Sequence, residues 1–176
     1  MAKVLEVAEL GNPVLRSPTT PIENIQDLAV QQLIDDLLKT VKKGNGLGIA
    51  APQVSSSLQL FIVASRPNLR YLNAPTMEPT AMINPQILAY SDEMVKDWEG
   101  CLSVPGIRGL VERSREIEIL YCDRHGEQHT QTFTDFVARI IQHEYDHIKG
   151  KVFLDRVEST LDLMSEAEHH SRIVCG

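Results

Sequence analysis

Cysteine is scarce in this chain. Cys101, Cys122 and Cys175 are three in 176 residues, an odd number at wide spacings, and such a set provides no disulfide framework. Clusters of lysine and arginine are missing too. With 24 acidic against 17 basic side chains the formal charge is −7, so neither a nucleic-acid surface nor an anionic membrane surface is expected. No apolar run approaches the length of a membrane span. The N-terminus, Met1-Ala-Lys-Val-Leu-Glu6, has an early acidic residue and no apolar stretch, so no signal or transit peptide is expected and the compartment reads as cytoplasmic and reducing. No internal repeat and no linker splits the chain. A single domain over 1–176 is therefore expected, and 43% hydrophobic residues are enough to bury a core.

What the chain does have is His143-Glu144-Tyr145-Asp146-His147. On a helix, residues four apart share a face, so both imidazoles can reach one metal ion. Glu144 sits about 100° around the helix from His143, badly placed to be a ligand but able to reach a water on that metal. A helix is expected here, because Phe136, Val137, Ile140, Ile141, Tyr145 and Ile148 recur at helical spacing between Thr134-Asp135 and Gly150.

The pair needs a third ligand. Zinc peptidases that take a third histidine six residues beyond the pair would need it at position 153, where this chain has Phe153. Glu158, Glu166 and Glu168 are available downstream, but they read as the solvated face of an acidic helix. Cys122 lies on a strand alternation and Cys175 near the terminus, each better read as a small core residue or a bystander. Cys101 stands in Trp98-Glu-Gly-Cys-Leu-Ser-Val-Pro-Gly106, beside a backbone freed by Gly100, and would complete a three-ligand site with one position open.

Gly46-Leu-Gly-Ile-Ala-Ala-Pro-Gln53 is the other unusual stretch. Without Gly-Lys-Ser/Thr it is no phosphate loop. It reads either as a tightly packed turn, or as a place where a substrate backbone approaches Gly46–Gly48 while the Gln53 amide donates to a developing oxyanion.

Around these motifs the pattern predicts a proline-rich lead-in over 11–22 and a helix over 24–43 with Gly44 as its cap. Strands are expected over 58–64, 86–97 and 115–122, with a turn at 123–126 and a partner strand over 127–133. A C-terminal helix is expected over 159–171.

Gly46–Gln53, Glu99-Gly-Cys-Leu-Ser103 and Gln142-His-Glu-Tyr-Asp-His-Ile-Lys-Gly150 together resemble the three sequence motifs of peptide deformylases, in the same order and with similar gaps. Pro13-Val-Leu-Arg16, Val104–Val111 and Val152–Arg156 add to the likeness, which runs over about residues 5–157. The resemblance implies an α+β fold, with antiparallel strands packed around a central helix carrying His-Glu-x-x-His and helices near each end. It implies removal of the formyl group from the N-terminal formyl-methionine of new polypeptides, met at the ribosome exit, by a single catalytic domain expected to be monomeric. Cys101, His143 and His147 would bind one divalent metal, usually Fe2+ in the family, with Zn2+, Ni2+ or Co2+ also found; the donor set suits several of these ions. Glu144 would be the acid/base, and Gln53 with the Leu102 N–H would hold the oxyanion. Gly46, Leu47, Gly48, Glu99 and Arg108 would line the substrate; Gln142 and Asp146 flank the ligands and would orient them, structural pairing elsewhere being the alternative for Asp146. Two rivals are a metallopeptidase cutting internal bonds and an inactive metal-binding relative that docks on nascent chains. Glu144 and Gln53 argue against the second, since a structural site needs no base.

Overall fold

The computed structural model describes residues 1–175. Its first long element is helix α1, Leu28–Lys43. It starts later than the apolar stripe suggests because Asp27 caps it, accepting from the Ala29 N–H at 2.8 Å. Gly44 ends it, its N–H donating to the Thr40 carbonyl at 2.9 Å. Ile34, Leu37 and Val41 of α1 are buried with Ile49, Leu60 and Ile62. The lead-in is tighter than expected: Pro13–Arg16 forms a 3-10 turn whose Leu15 is buried.

Eight strands follow: β1 Gly48–Ala50, β2 Leu60–Val63, β3 Thr80–Tyr90, β4 Met94–Cys101, β5 Val104–Ser114, β6 Glu116–Cys122, β7 Gln128–Thr134 and β8 Leu163–Ser165. Helix α2, Asp135–Ile148, lies between β7 and β8. They make a five-stranded sheet in the order β1-β2-β3-β6-β7 and a three-stranded sheet in the order β4-β5-β8. Every neighbouring pair is antiparallel. Helix α2 buries Ala138, Ile141 and Ile148 among Phe61, Val63, Met82, Ile117 and Ile119 of the larger sheet. Its Arg139 reaches the smaller sheet, donating to the Val111 carbonyl at 2.9 Å. The motif helix thus lies at the junction of the sheets. Gly150, at φ +68°, turns the chain after it.

The expected α+β architecture is present; two local expectations are corrected, and one strand appears where the sequence pattern assigns none. Residues 86–97 are not one strand but the end of β3, a polar turn at 91–93 and the start of β4, with the chain passing from one sheet to the other. The long strand β5 escapes the alternation rule because Pro105, Gly106 and Gly109 interrupt it; a Cβ on Gly109 would lie 2.9 Å from Phe153 and Val157. The C-terminal helix is shorter than 159–171. Residues 160–162 form a 3-10 turn and 163–165 form β8. Only Glu166–His169 is α-helical, as α3, running on into a π-helical turn over His170–Val174. Pairing of Leu163, Met164 and Ser165 with Gly109, Arg108 and Ile107 takes the segment that periodicity assigns to the helix.

Candidate metal centre and peptide groove

His143 and His147 stand one turn apart on α2, their ring centroids 5.2 Å apart. The register of β4 against β5 shifts between Glu99 and Cys101, so Cys101 leaves the regular ladder and pairs with Val104 across a tight turn. Its Sγ then lies 3.3 Å from His147 Nε2. Donor atoms of Cys101, His143 and His147 all fall within 4.8 Å of one another. Burial alone would raise the Cys101 thiol, but the charge of His147 and the adjacent imidazoles outweigh it and hold the thiol well below its ordinary range. The Ser103 N–H, 3.4 Å from Sγ, favours the thiolate too.

A charged scaffold sets these donors. His143 Nδ1–H donates to Glu99 Oε2 at 2.9 Å, which leaves Nε2 free as a donor to a metal. Arg113 grips both Glu99 oxygens at 2.9 and 3.0 Å, and Arg139 adds a contact at 2.9 Å. Behind them Arg113 meets Asp146 at 2.6 Å, and Arg156 caps the same carboxylate at 2.6 Å. Glu99 is fully buried, which opposes ionisation, yet the Arg113 charge and the His143 and Arg113 hydrogen bonds hold it below the usual carboxylate range. Truncating one member strands buried charges. Arg113→Ala is expected to cost about 3–5 kcal/mol, read as a fall in the urea midpoint, and about 10–100-fold in metal affinity. An unchanged midpoint and affinity would show that the scaffold is idle.

Two sequence expectations change here. The Glu99 carboxylate does not face substrate; Arg113, Arg139 and His143 take it up, so its side chain positions a ligand. Gln142 does not orient a ligand either. Its amide donates to the carbonyls of Ser114 at 2.8 Å and Ala138 at 3.1 Å, pinning α2 to β5. Asp146 acts at one remove, through Arg113.

Glu144 is 4% exposed, and its Oε2 has no hydrogen-bond partner among the described residues. Burial pushes its carboxyl up to about 7, with the two histidines pulling the other way. Its neighbour explains a glycine: a Cβ on Gly48 would overlap Glu144 Oε1. Gly48→Ala is therefore expected to displace the carboxylate and lower turnover about tenfold or more, with metal content unchanged; wild-type turnover in that variant would contradict this contact. Gly46 serves packing, since its Cβ would meet Leu102 Cδ1 and Val41 Cγ2, each at 3.1 Å. Leu102, at the β4–β5 turn, closes over that stretch.

Gln53 is aimed from a 3-10 turn over Ala51–Val54. Its Oε1 accepts from the Ala50 N–H at 2.8 Å. That fixes the amide so that Nε2 lies 3.5 Å from Cys101 Sγ and 3.1 Å from Ser103 Oγ.

A groove opens over these groups, reaching from Gly46, Leu47 and Gly48 to Trp98–Leu102. Strand order makes β1 an outer strand of one sheet and β4 an outer strand of the other, and both border the groove. An extended peptide could thus pair with a strand edge. Tyr71, Phe136 and Ile140, packed in one cluster, give the groove an apolar lining together with His143, and Trp98 lines it from β4. Arg108, read from sequence as touching substrate, lies across Gly100 with its guanidinium on the Tyr71 hydroxyl and Glu166, each at 2.9 Å.

Asp123, Glu127 and His129 also come within metal-binding distance of one another. Asp123 Oδ1 there accepts from the backbone of His125 and Glu127, as expected of a hairpin turn. Of these two clusters among the described residues, the one with Cys101 adjoins a base and a groove.

The sequence profile of the polypeptide deformylase family matches residues 4–162. The chain belongs to that family. A Nostoc protein named peptide deformylase 2 is 59% identical over 171 residues, covering 97% of this chain and 96% of its own. Among solved structures, a class I type b peptide deformylase from Acinetobacter baumannii bound to Met-Ala-Ser matches with a TM-score of 0.87. It is 44% identical and covers 89% of this chain and 100% of that one. The Synechococcus elongatus enzyme in complex with actinonin gives a TM-score of 0.80 at 36% identity, covering 92% of this chain and 84% of its own. Deformylases are metal-dependent hydrolases that remove the formyl group from N-formylmethionyl polypeptides, and that is the activity of this chain. The Cys101, His143 and His147 cluster fits such a metal: a soft thiolate and two imidazoles converge beside a carboxylate oxygen without a partner among the described residues. Sequence reasoning missed Arg113, Arg139, Tyr71 and Glu166, whose partners lie 14 to 58 residues away.

Proposed function

We propose that Cys101 Sγ and the Nε2 atoms of His143 and His147 hold one divalent ion, Fe2+ physiologically with Zn2+, Ni2+ or Co2+ as substitutes. Peptides beginning with formyl-methionine would enter between β1 and β4, the methionine side chain against Tyr71, Trp98, Phe136 and Ile140. When bound, the ion supplies a Lewis acid that makes water a nucleophile near neutral pH.

The chain's own groups do the rest. Glu144 takes the proton from the attacking water, whose oxygen bonds to the formyl carbon. Gln53 Nε2–H and the Leu102 N–H donate to the formyl oxygen as it becomes negative, each worth about 2.7–4 kcal/mol in the transition state. Glu144 then delivers its proton to the methionine nitrogen as the C–N bond breaks, leaving formate and a free amine. Gly46 and Leu47 border the incoming backbone. Glu99 keeps His143 in one tautomer throughout.

The observation that carries this reading is the convergence of one thiolate and two imidazoles within 4.8 Å beside a buried carboxylate oxygen that has no partner among the described residues. Residues 1–176 act as one catalytic domain, because both sheets, α2 and the C-terminal segment all contribute walls. We place the reaction in the cytoplasm on chains leaving the ribosome, and take the enzyme to act as a monomer. Formate release from formyl-Met-Ala-Ser tests it. Cleavage of an internal bond in the unformylated peptide, without formate from the formylated one, would instead fit a metallopeptidase.

A further inference from the structure

Glu166 lies in a segment that the three motifs do not cover, yet it lines the groove. Its position is built from both sides. Before it, β8 is locked on β5, with Ser165 opposite Ile107 and Met164 opposite Arg108. After it, Ser165 Oγ accepts from the Glu168 N–H at 3.3 Å, and buried His169 packs its ring edge-on to Trp98 at 5.2 Å between centroids. So held, the Glu166 carboxylate meets Arg70 Nε at 2.6 Å and Arg108 Nη2 at 2.9 Å. Arg108 is itself buried beneath the groove's rim and tied to the Tyr71 hydroxyl on the loop between β2 and β3.

Two guanidinium groups thus face one carboxylate, leaving one net positive charge at the groove's outer part. Glu99, Arg139 and Glu144 also line the groove, but Glu99 and Arg139 satisfy each other and Glu144 lies at the metal centre. The charged groups that a peptide meets beyond its methionine are therefore Arg70, Arg108 and Glu166.

We infer that Glu166 is a specificity-determining residue: it tempers an arginine pair that favours acidic over basic side chains just after the methionine. The inference rests on the proposed path of the peptide through this groove. Side chains alternate in an extended peptide, so one of the two positions after methionine faces the cluster. A partly solvated charge contact is worth a small factor that salt screens.

The test compares kcat/KM for formyl-Met-Asp-Ser, formyl-Met-Ala-Ser and formyl-Met-Lys-Ser, and for formyl-Met-Ala-Asp and formyl-Met-Ala-Lys, with wild type, Glu166→Gln and Glu166→Asp. Wild type should prefer Asp over Lys by about three- to fivefold at one of the two positions at low salt, less at high salt. Glu166→Gln should widen that ratio by a further factor of about three, through KM rather than kcat, and Glu166→Asp should restore it. A merely structural Glu166 would change all five peptides alike, and that result, or a flat or reversed Asp/Lys ratio in wild type, overturns the inference. Formate from every peptide with a flat ratio sinks this inference alone. No formate from any peptide sinks the groove reading as well.

Discussion

Alanine in place of Glu144 is expected to keep the metal and cost at least about 10²-fold in the rate of formate release. The carboxylate is buried, has one oxygen without a partner among the described residues, and abuts the backbone at Gly48. Its loss leaves Cys101, His143 and His147 untouched, so metal content should remain at one ion per chain. Because the proton is moved in the reaction rather than in binding, the loss should fall on kcat, with KM changed little. Undiminished turnover would remove Glu144 from this role, and a parallel loss of metal would show that it acts as a ligand.

Serine in place of Cys101 is the second large effect. The thiolate is the soft member of the set and lies 3.3 Å from His147 Nε2. A hydroxyl at that position binds a divalent transition ion far more weakly, since it is harder and does not ionise near neutral pH. The variant should lose most of its metal on dialysis against a chelator that leaves wild type loaded, and lose activity in proportion. Fold should survive, because Cys101 sits at the edge of a small cluster with Val104, Val111 and Phe153. A full metal complement after that dialysis would place the third ligand elsewhere.

How much of this is legible in one dimension depends on the range of the interaction. Helix α2 shows in the spacing of Ile140, Ile141, Tyr145 and Ile148, and the β6–β7 hairpin in the alternation of Ile117, Ile119 and Tyr121, because both patterns are local. Strand β5 does not show, since Gly109 answers to Phe153 and Val157 rather than to its neighbours in sequence. Leu161, in the expected C-terminal helix, is 92% exposed, while Leu163 and Met164 pair with β5; helical spacing alone misassigns both. At the site, His143 and His147 announce themselves by their spacing. The charged scaffold does not: nothing in the local sequence marks Arg113 or Arg139 until the fold puts Glu99 between them. Glu166 is the same case, an acidic residue in a polar tail that only the fold brings to Arg108.

The central claim is that one metal ion, held by Cys101, His143 and His147, works with Glu144 to remove a formyl group. The most direct measurement is an anaerobic titration of chelator-stripped protein with Fe2+, following formate release from formyl-Met-Ala-Ser. Activity should rise linearly and break at one equivalent per chain, with Met-Ala-Ser as the other product. Full activity in the stripped protein, or a break at two equivalents, would contradict it.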